Sequence, residues 1–192
     1  RVISIQRMEN TSMATANDTT ILIFGASGDL TSRKLIPALF RLSQQQFLSE
    51  KCPVIGVARR EKTHDEFRAE MREAIQSRVG ADKFDEAAWT TFAKQLFYQQ
   101  LDISDASSYG NLNSAVSAIE AQIGGSSEST RVVYMATTPG LFAPAVEGLS
   151  CAGMIPSREN SSRLRVVVEK PFGRDLKSAQ ELTVQLARFL HE

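Results

Sequence analysis

Residues 21–30, with the sequence ILIFGASGDL, constrain the fold of this chain more than any other stretch. Four apolar residues lead directly into Gly25 and Gly28, and a helical pattern of apolar residues begins just after them. Glycine lets the backbone approach a diphosphate closely, and the amides that open the next helix point at the negative charge. The spacing differs from G-x-G-x-x-G, so this phosphate-binding turn is predicted from the strand before it and the helix after it.

Short apolar runs alternate with helical patterns along the rest of the chain. Strands are predicted over residues 20–24, 54–58, 97–103, 131–136 and 164–168. Helices are predicted over residues 29–48, 63–79, 85–96, 105–123, 141–151 and 175–190. Continuous apolar strands between helices are typical of a parallel sheet covered on both faces. The sequence therefore predicts an α/β fold, a Rossmann-like doubly wound parallel sheet that binds ligands at the carboxyl ends of its strands.

Composition limits the kinds of partner. Lys and Arg total 22, as do Asp and Glu, so the net charge is zero and no nucleic-acid partner is expected. No apolar run approaches the roughly 20 residues that span a bilayer, so no membrane partner is expected. Cys52 and Cys151 lie far apart and in no ligand spacing, which predicts neither a disulfide scaffold nor a metal site. A reducing, cytoplasmic compartment is therefore the default expectation.

The domain organisation is predicted to be simple. Residues 1–19 are polar, and we expect a disordered N-terminal lead there, followed by one Rossmann domain over 20–192. Residues 124–130 are rich in Gly and Ser and are predicted to form a surface loop. Position 1 is Arg1 rather than Met, and a helical pattern reaches Glu192 without a cap. These features predict a chain truncated at both ends.

The second predicted strand is followed by Arg59 and Arg60. An NAD-preferring site usually has Asp or Glu at this place, hydrogen-bonded to the ribose 2′-hydroxyl. A carboxylate would repel a 2′-phosphate, whereas a guanidinium binds it with two hydrogen bonds. The pair therefore favours NADP over NAD, with Arg59 as the stronger candidate because it directly follows the strand. The alternative is an arginine pair on the surface with no ligand.

The remaining strand ends carry further candidates. Asp102 follows the third predicted strand and either binds the coenzyme or caps the next helix. Thr138 and Pro139 either form a turn beside the nicotinamide ribose or only end the fourth strand. Lys170 follows the fifth strand and would present an ammonium group at the mouth of the site, with a surface lysine as the alternative. His64 and His191 lie away from the strand ends, so neither is expected to be a catalytic base.

Four segments resemble the glucose-6-phosphate dehydrogenase family in order and spacing. They are residues 25–30, 33–39 and 56–59, with Glu-Lys-Pro-Phe-Gly at 169–173. The similarity runs from about Thr20 to the last residue. It implies the coenzyme-binding domain of an enzyme that oxidises glucose 6-phosphate to 6-phosphogluconolactone, the first step of the pentose phosphate pathway, with NADP as cofactor.

The resemblance also implies site residues. It implies that Lys170 contacts both the coenzyme and glucose 6-phosphate, and that Arg59 binds the 2′-phosphate. The other implied coenzyme-binding residues are Gly25, Ala26, Ser27, Gly28, Asp29, Leu30, Thr31, Ser32, Asp102, Ile103 and Phe142. Nothing here resembles the family's R-I-D-H-Y-L-G-K segment or its C-terminal domain, which holds the catalytic histidine and the subunit interface. No catalytic residue is therefore expected in this chain, and the full-length protein is expected to be a homodimer or homotetramer.

Two alternatives stay open at this point. One is another Rossmann sugar oxidoreductase, of the glucose–fructose oxidoreductase type, although that type usually has a G-x-G-x-x-G turn. The other is a non-catalytic module that only binds NADP. The sequence that follows Glu192 in the reading frame would separate these possibilities.

Overall fold

The computed structural model describes residues 19–124, 130–157, 160 and 163–190, and it contains one five-stranded sheet in the order β3-β2-β1-β4-β5. Every neighbouring pair of strands is parallel. The strands are β1 (Thr19–Phe24), β2 (Val54–Ala58), β3 (Leu96–Gln100), β4 (Thr130–Met135) and β5 (Leu164–Val168). The predicted parallel α/β sheet is confirmed. Residues 1–18 of the expected lead over 1–19, and residues 125–129 of the expected loop over 124–130, lie outside the described residues.

Helices cover both faces of the sheet, so the doubly wound prediction is also confirmed. The α-helices of the described residues are α1 (Ile36–Gln44), α2 (His64–Val79), α3 (Glu86–Ala93), α4 (Tyr109–Ile123), α5 (Phe142–Cys151) and α6 (Leu176–Leu186). Helices α1 to α3 bury Phe40, Phe67 and Trp89 against one face. Helices α4 to α6 bury residues such as Leu112 and Leu182 against the other. Two separate apolar cores thus hold the sheet between them.

Strand order reverses beside β1, because β2 and β3 lie on one side of it and β4 and β5 on the other. Helix α4 makes the crossover from β3 to β4 over one face. In a sheet of this order, loops diverge at the carboxyl ends of the two strands that flank the reversal, and a crevice opens between them. The fold therefore places a ligand crevice at the ends of β1 and β4.

The helix after β1 begins at residue 29, as predicted, but it ends earlier than predicted. Residues Thr31–Leu35 are π-helical, and α1 follows with Pro37 in its first turn. The expectation that the helix reaches residue 48 is wrong, because Gln46 has a φ of 61°. The Phe47 amide donates to the Leu42 carbonyl, which is the closing bond of a left-handed helix cap.

The prediction that the third strand runs to residue 103 is also wrong. The ladder ends at Gln100, and the chain then turns. The carboxylate of Asp102 accepts a hydrogen bond of 2.9 Å from the Ser104 amide, which closes that turn. Helix α4 begins at Tyr109 rather than at 105, after a 3₁₀ turn. Short polar side chains thus decide where these elements start and stop.

Capping side chains fix the starts of two helices. Thr63 and Glu66 form a capping box at α2, with the Thr63 hydroxyl accepting from the Glu66 amide at 3.1 Å. Asp175 caps α6 by accepting from the Ser178 amide at 2.8 Å. Helix α6 ends at Leu186 rather than at 190. No helix in the described ranges is long and apolar enough to cross a membrane.

Candidate functional site

A cavity of about 440 Å³ lies at the carboxyl ends of β1 to β4. Eight of the residues that the sequence suggested line it: Gly25, Ser27, Gly28, Arg59, Arg60, Asp102, Ile103 and Thr138. The other lining residues are Ala58, Leu101, Ser104, Ala136, Thr137 and Leu141. Loops from four different strands thus meet at one cavity, at the reversal of strand order where a ligand is expected.

The glycine turn after β1 has no room for side chains. Gly25 has a φ of +91°, and a Cβ atom placed on it would lie 2.4 Å from the Ala136 carbonyl oxygen. A Cβ atom on Gly28 would lie 3.0 Å from the Gly25 carbonyl oxygen. The hydroxyl of Thr31 donates to that same oxygen at 3.2 Å, so the turn is fixed from the first turn of the following helix. The backbone is therefore exposed to the cavity in a single, supported conformation.

The other residues of this turn support it without lining the cavity. Ala26 is buried, and its amide donates to the Val57 carbonyl at 3.1 Å. Asp29 lies in the first helical turn and forms an exposed ion pair of 3.1 Å with Arg33. Leu30 is half-buried, and the Ser32 hydroxyl donates to the Asp29 carbonyl at 3.3 Å. These residues stabilise the helix start.

Arg59 and Arg60 are both exposed and both line the β2 side of the cavity. Tyr98 of β3 lies beneath them, and the carbonyl oxygens of Ala58, at 3.2 Å, and of Arg60 share the one proton that its hydroxyl can donate. Burial raises the pKa of Tyr98, and a hydrogen bond with Ser27 opposes that shift in part. The phenol is therefore a neutral donor at neutral pH. The sequence pattern did not indicate that Tyr98 holds the backbone of the arginine pair, because it predicts only that Tyr98 lies in a strand.

Asp102 and Ile103 line the cavity from the loop after β3. One oxygen of the Asp102 carboxylate closes the local turn, so the carboxylate both faces the cavity and caps a loop. The carbonyl of Ile103 accepts a hydrogen bond of 3.1 Å from the buried Tyr109 hydroxyl, which fixes this loop to α4. The helix-capping alternative for Asp102 is wrong, because Asp105 caps the 3₁₀ turn before α4 by accepting a hydrogen bond of 3.0 Å from the Ser107 amide. Coenzyme binding by Asp102 stays a prediction.

The loop after β4 contributes an unpaired polar atom. The hydroxyl oxygen of Thr137 is buried and has no hydrogen-bond partner in the described structure, although the residue lines the cavity. Phe142 does not line the cavity, and its side chain is fully buried in the core. Leu141 lines the cavity in its place. An unsatisfied hydroxyl beside a cavity indicates a polar ligand group.

Lys170 is exposed and follows β5 at the same edge of the sheet, but it is not among the residues that line the cavity. The Lys170–Pro171 peptide bond is cis. Next to it, the Glu169 carboxylate accepts a hydrogen bond from the Tyr134 hydroxyl of β4. Burial, together with this bond and the charge of Glu169, raises the pKa of Tyr134 to about 12.

The residues present fit a nicotinamide dinucleotide. The glycine turn offers close backbone approach to a diphosphate, and two guanidinium groups face the cavity on the β2 side. The unpaired Thr137 hydroxyl offers a hydrogen bond on the β4 side. No group of three or more His, Cys, Asp or Glu side chains in the described ranges could hold a metal ion. The arrangement is that of an anion-binding and ribose-binding site.

A known protein family matches most of this chain. The family model "Glucose-6-phosphate dehydrogenase, NAD binding domain" matches residues 22–192 of the chain. The chain belongs to this family. The resemblance suggested by residues 25–30 and 169–173 is confirmed. The match also decides against the glucose–fructose oxidoreductase type as the family of this chain.

Curated relatives carry the same family name. The glucose-6-phosphate 1-dehydrogenase of Chlamydia muridarum is 37% identical over 164 residues, which is 84% of this chain and 32% of that protein. The enzyme of Aggregatibacter actinomycetemcomitans is 36% identical over 177 residues, which is 92% of this chain and 34% of that protein. The chain therefore spans about a third of the length of the curated relatives that it matches.

Solved structures agree with the fold. Glucose-6-phosphate 1-dehydrogenase from Mycobacterium avium matches with a TM-score of 0.75 and 33% identity, over 93% of this chain and 35% of that chain. A glucose-6-phosphate dehydrogenase in complex with its substrate glucose-6-phosphate matches with a TM-score of 0.78 and 31% identity, over 92% of this chain and 35% of that chain. The sheet and its helices thus correspond to the coenzyme-binding part of larger enzymes.

Proposed function

We propose that this chain is the NADP-binding domain of a glucose-6-phosphate dehydrogenase. The observation that carries the choice of NADP is the pair Arg59 and Arg60 on the β2 side of the cavity. A 2′-phosphate there would meet two positive charges, because arginines stand directly after β2, where an NAD-preferring site has a carboxylate. The glycine turn of residues 25–28 would hold the diphosphate.

The reaction proposed for the whole protein is oxidation of glucose 6-phosphate at C1 to 6-phosphogluconolactone. NADP, when bound, supplies a hydride acceptor. Lys170 is proposed to hold a hydroxyl or phosphate group of the sugar near the cavity, because β5 lies beside β4 and Lys170 directly follows Glu169 at its carboxyl end. The implied coenzyme contacts of Ala26, Asp29, Leu30, Thr31 and Ser32 are proposed to act through the backbone and the helix start.

A base must accept the C1 hydroxyl proton as the hydride leaves. The cavity lining contains one carboxylate, that of Asp102, and no histidine. His64 is engaged elsewhere, because its Nδ1 accepts a hydrogen bond of 3.1 Å from the Tyr98 amide. We therefore propose that the base comes from another part of a longer protein and that the chain alone is inactive. The longer protein is further proposed to be a cytoplasmic homodimer or homotetramer, as the resemblance to the family implies.

Two measurements test this proposal. Titration of the chain with NADP and with NAD should give tighter binding of NADP, and equal affinities would contradict the coenzyme assignment. A longer version that includes the sequence encoded after Glu192 should oxidise glucose 6-phosphate in the presence of NADP. A longer version that binds NADP and oxidises no sugar phosphate would favour the non-catalytic module instead.

A further inference from the structure

The backbone that carries the two arginines is held by side chains from the neighbouring strand β3. The Tyr98 hydroxyl bonds the carbonyl oxygens of Ala58, at 3.2 Å, and of Arg60. The side-chain amide of Gln100 donates to the carbonyl oxygen between them, that of Arg59, at 3.1 Å. Three consecutive carbonyl groups are thus tied at the end of the ladder between β2 and β3, whose last pair is Ala58 and Gln100. The Ala58 carbonyl also accepts a hydrogen bond of 3.0 Å from the Leu101 amide, whereas the bonds to Arg59 and Arg60 come from side chains.

Tyr98 is itself fixed in place. Its side chain is only 3% exposed, and its ring packs against Phe67 with 5.4 Å between ring centroids. The ammonium group of Lys62 lies 5.9 Å from the centre of the same ring. The backbone amide of Tyr98 donates a hydrogen bond of 3.1 Å to Nδ1 of His64. Since the ring has no room to turn, its hydroxyl is a fixed anchor rather than a mobile surface group.

The anchor also reaches the other half of the phosphate site. Ser27, in the glycine turn, lies close enough to the Tyr98 side chain to lower the pKa of its phenol, and Ser27 lines the cavity together with Arg59 and Arg60. The Tyr98 hydroxyl therefore lies between the turn predicted to hold the diphosphate and the segment predicted to hold the 2′-phosphate. Tyr98 does not itself line the cavity.

We propose that Tyr98 is a positioning residue for NADP selectivity, which acts by holding the backbone of Ala58–Arg60 so that both guanidinium groups face the 2′-phosphate. The inference rests on the proposed function. Arginine side chains are long and exposed here, so binding a phosphate orders many rotatable bonds. A fixed backbone lowers that cost, and the gain is specific to a ligand that carries a 2′-phosphate.

The test measures NADP and NAD affinities of the 192-residue chain by titration, for the wild type and for Tyr98→Phe. The phenylalanine variant removes the hydroxyl and keeps the ring. We expect NADP affinity to fall by roughly threefold to tenfold, the worth of one hydrogen bond, and NAD affinity to change less than twofold. The NADP-to-NAD affinity ratio, rather than either affinity alone, is the readout that a merely structural role would not move.

Tyr109→Phe is the matched control. Its hydroxyl is also buried at this edge of the sheet and also bonds a loop carbonyl, that of Ile103, at 3.1 Å. It does not touch the segment of the two arginines, so its NADP-to-NAD ratio should equal that of the wild type. A ratio that falls as much in Tyr109→Phe as in Tyr98→Phe would overturn the inference, because the effect would then follow from any lost hydroxyl.

Gln100→Ala gives a second route if Tyr98→Phe does not fold. Gln100 is exposed and bonds only one carbonyl of the segment in the described structure, so we expect a smaller fall in the ratio, about twofold. A folded Tyr98→Phe chain that keeps the wild-type NADP-to-NAD ratio would overturn the inference and leave the proposed function intact. If Tyr98→Phe does not fold, an unchanged ratio in Gln100→Ala would overturn the inference in its place. A wild-type chain with no preference for NADP would contradict the proposed function, and the inference with it.

Discussion

At the scale of single residues, the site depends on groups with different surroundings. Arg59 and Arg60 are exposed side chains on a fixed backbone, and Thr137 is a buried hydroxyl with no partner in the described structure. The arginines were predictable because their charge and their place after a strand point to one ligand group. The Thr137 hydroxyl was not, because only the packing around it shows that its hydrogen bond is unmade.

Arg59→Ala should weaken NADP binding by roughly 1.5–3 kcal/mol, the usual worth of a hydrogen bond to a charged group, and leave NAD binding nearly unchanged. The reason is that NAD has no 2′-phosphate for the guanidinium to bind. Titration of both coenzymes measures the difference. Arg41→Ala, an exposed arginine of α1 away from the cavity, is the control and should change neither affinity. Equal losses for both coenzymes would refute the assignment of Arg59.

His64 gives the chain a predicted pH dependence of stability. Burial, followed by the charge of Arg68, lowers its pKa from the usual 6.5. As pH falls below about 6.5, the unfolded chain therefore takes up the proton before the folded chain does, and the free energy of unfolding decreases. His64 also accepts a hydrogen bond from the Tyr98 amide, which protonation of that nitrogen would remove. The stabilisation is present above that pH and is lost on acidification.

His64→Asn tests this dependence. The asparagine amide oxygen can accept the bond from Tyr98 but does not titrate. Denaturant unfolding between about pH 7.5 and pH 5 should show a steeper loss of stability in the wild type than in the variant. Parallel curves over that range would show that His64 does not contribute to the pH dependence.

At the scale of elements, the first strand, its turn and the helix after it form the unit that makes the site. Their order was clear from the sequence, but the exact helix was not. The π-helical turn Thr31–Leu35 and the cap at Gln46 depend on backbone geometry that apolar spacing does not record. Likewise, β3 was predicted too long because Leu101 and Ile103 are buried like strand residues although they lie in a loop.

Gly25→Ala should destabilise the fold by about 2 kcal/mol or more, from the positive φ and from contact with the Ala136 carbonyl oxygen. Thermal or denaturant unfolding measures the change. Gly110→Ala is the matched control, since Gly110 lies in α4 and a Cβ atom there would meet nothing within 4 Å. Alanine has a higher helix propensity than glycine, so the Gly110→Ala substitution should stabilise the fold by up to about 1 kcal/mol. Equal effects of both substitutions would contradict this account of the turn.

At the scale of the whole molecule, the two halves of the sheet are joined by a buried polar cluster at the end opposite the cavity. Glu120 of α4 accepts hydrogen bonds from the Thr20 hydroxyl of β1 at 2.8 Å and from the Arg131 guanidinium of β4 at 2.7 and 2.9 Å. Thr20 and Arg131 are register partners in the sheet. The cluster therefore fixes the crossover helix against the two strands that flank the reversal of strand order.

Glu120→Ala should destabilise the fold by about 3 kcal/mol, because it leaves the mostly buried Arg131 without its carboxylate partner. The NADP-to-NAD affinity ratio of the folded variant should stay at the wild-type value, since the cluster lies at the amino ends of the strands. Denaturant unfolding and coenzyme titration measure the two quantities. The control is Glu181→Ala, because Glu181 forms an exposed pair with Lys177 and should contribute less than about 1 kcal/mol. Similar losses in both variants would show that the buried cluster has no special role.

The sequence by itself determined the α/β class, the five strands, the turn of residues 25–28 and the charge that favours a 2′-phosphate. It could do so because apolar periodicity, glycine and capping residues act locally along the chain. Only the tertiary structure decided that Phe142 is core, that Lys170 stands apart from the cavity lining, and that Tyr98 holds the arginine segment. Those outcomes depend on contacts between strands far apart in the sequence, which no local pattern records.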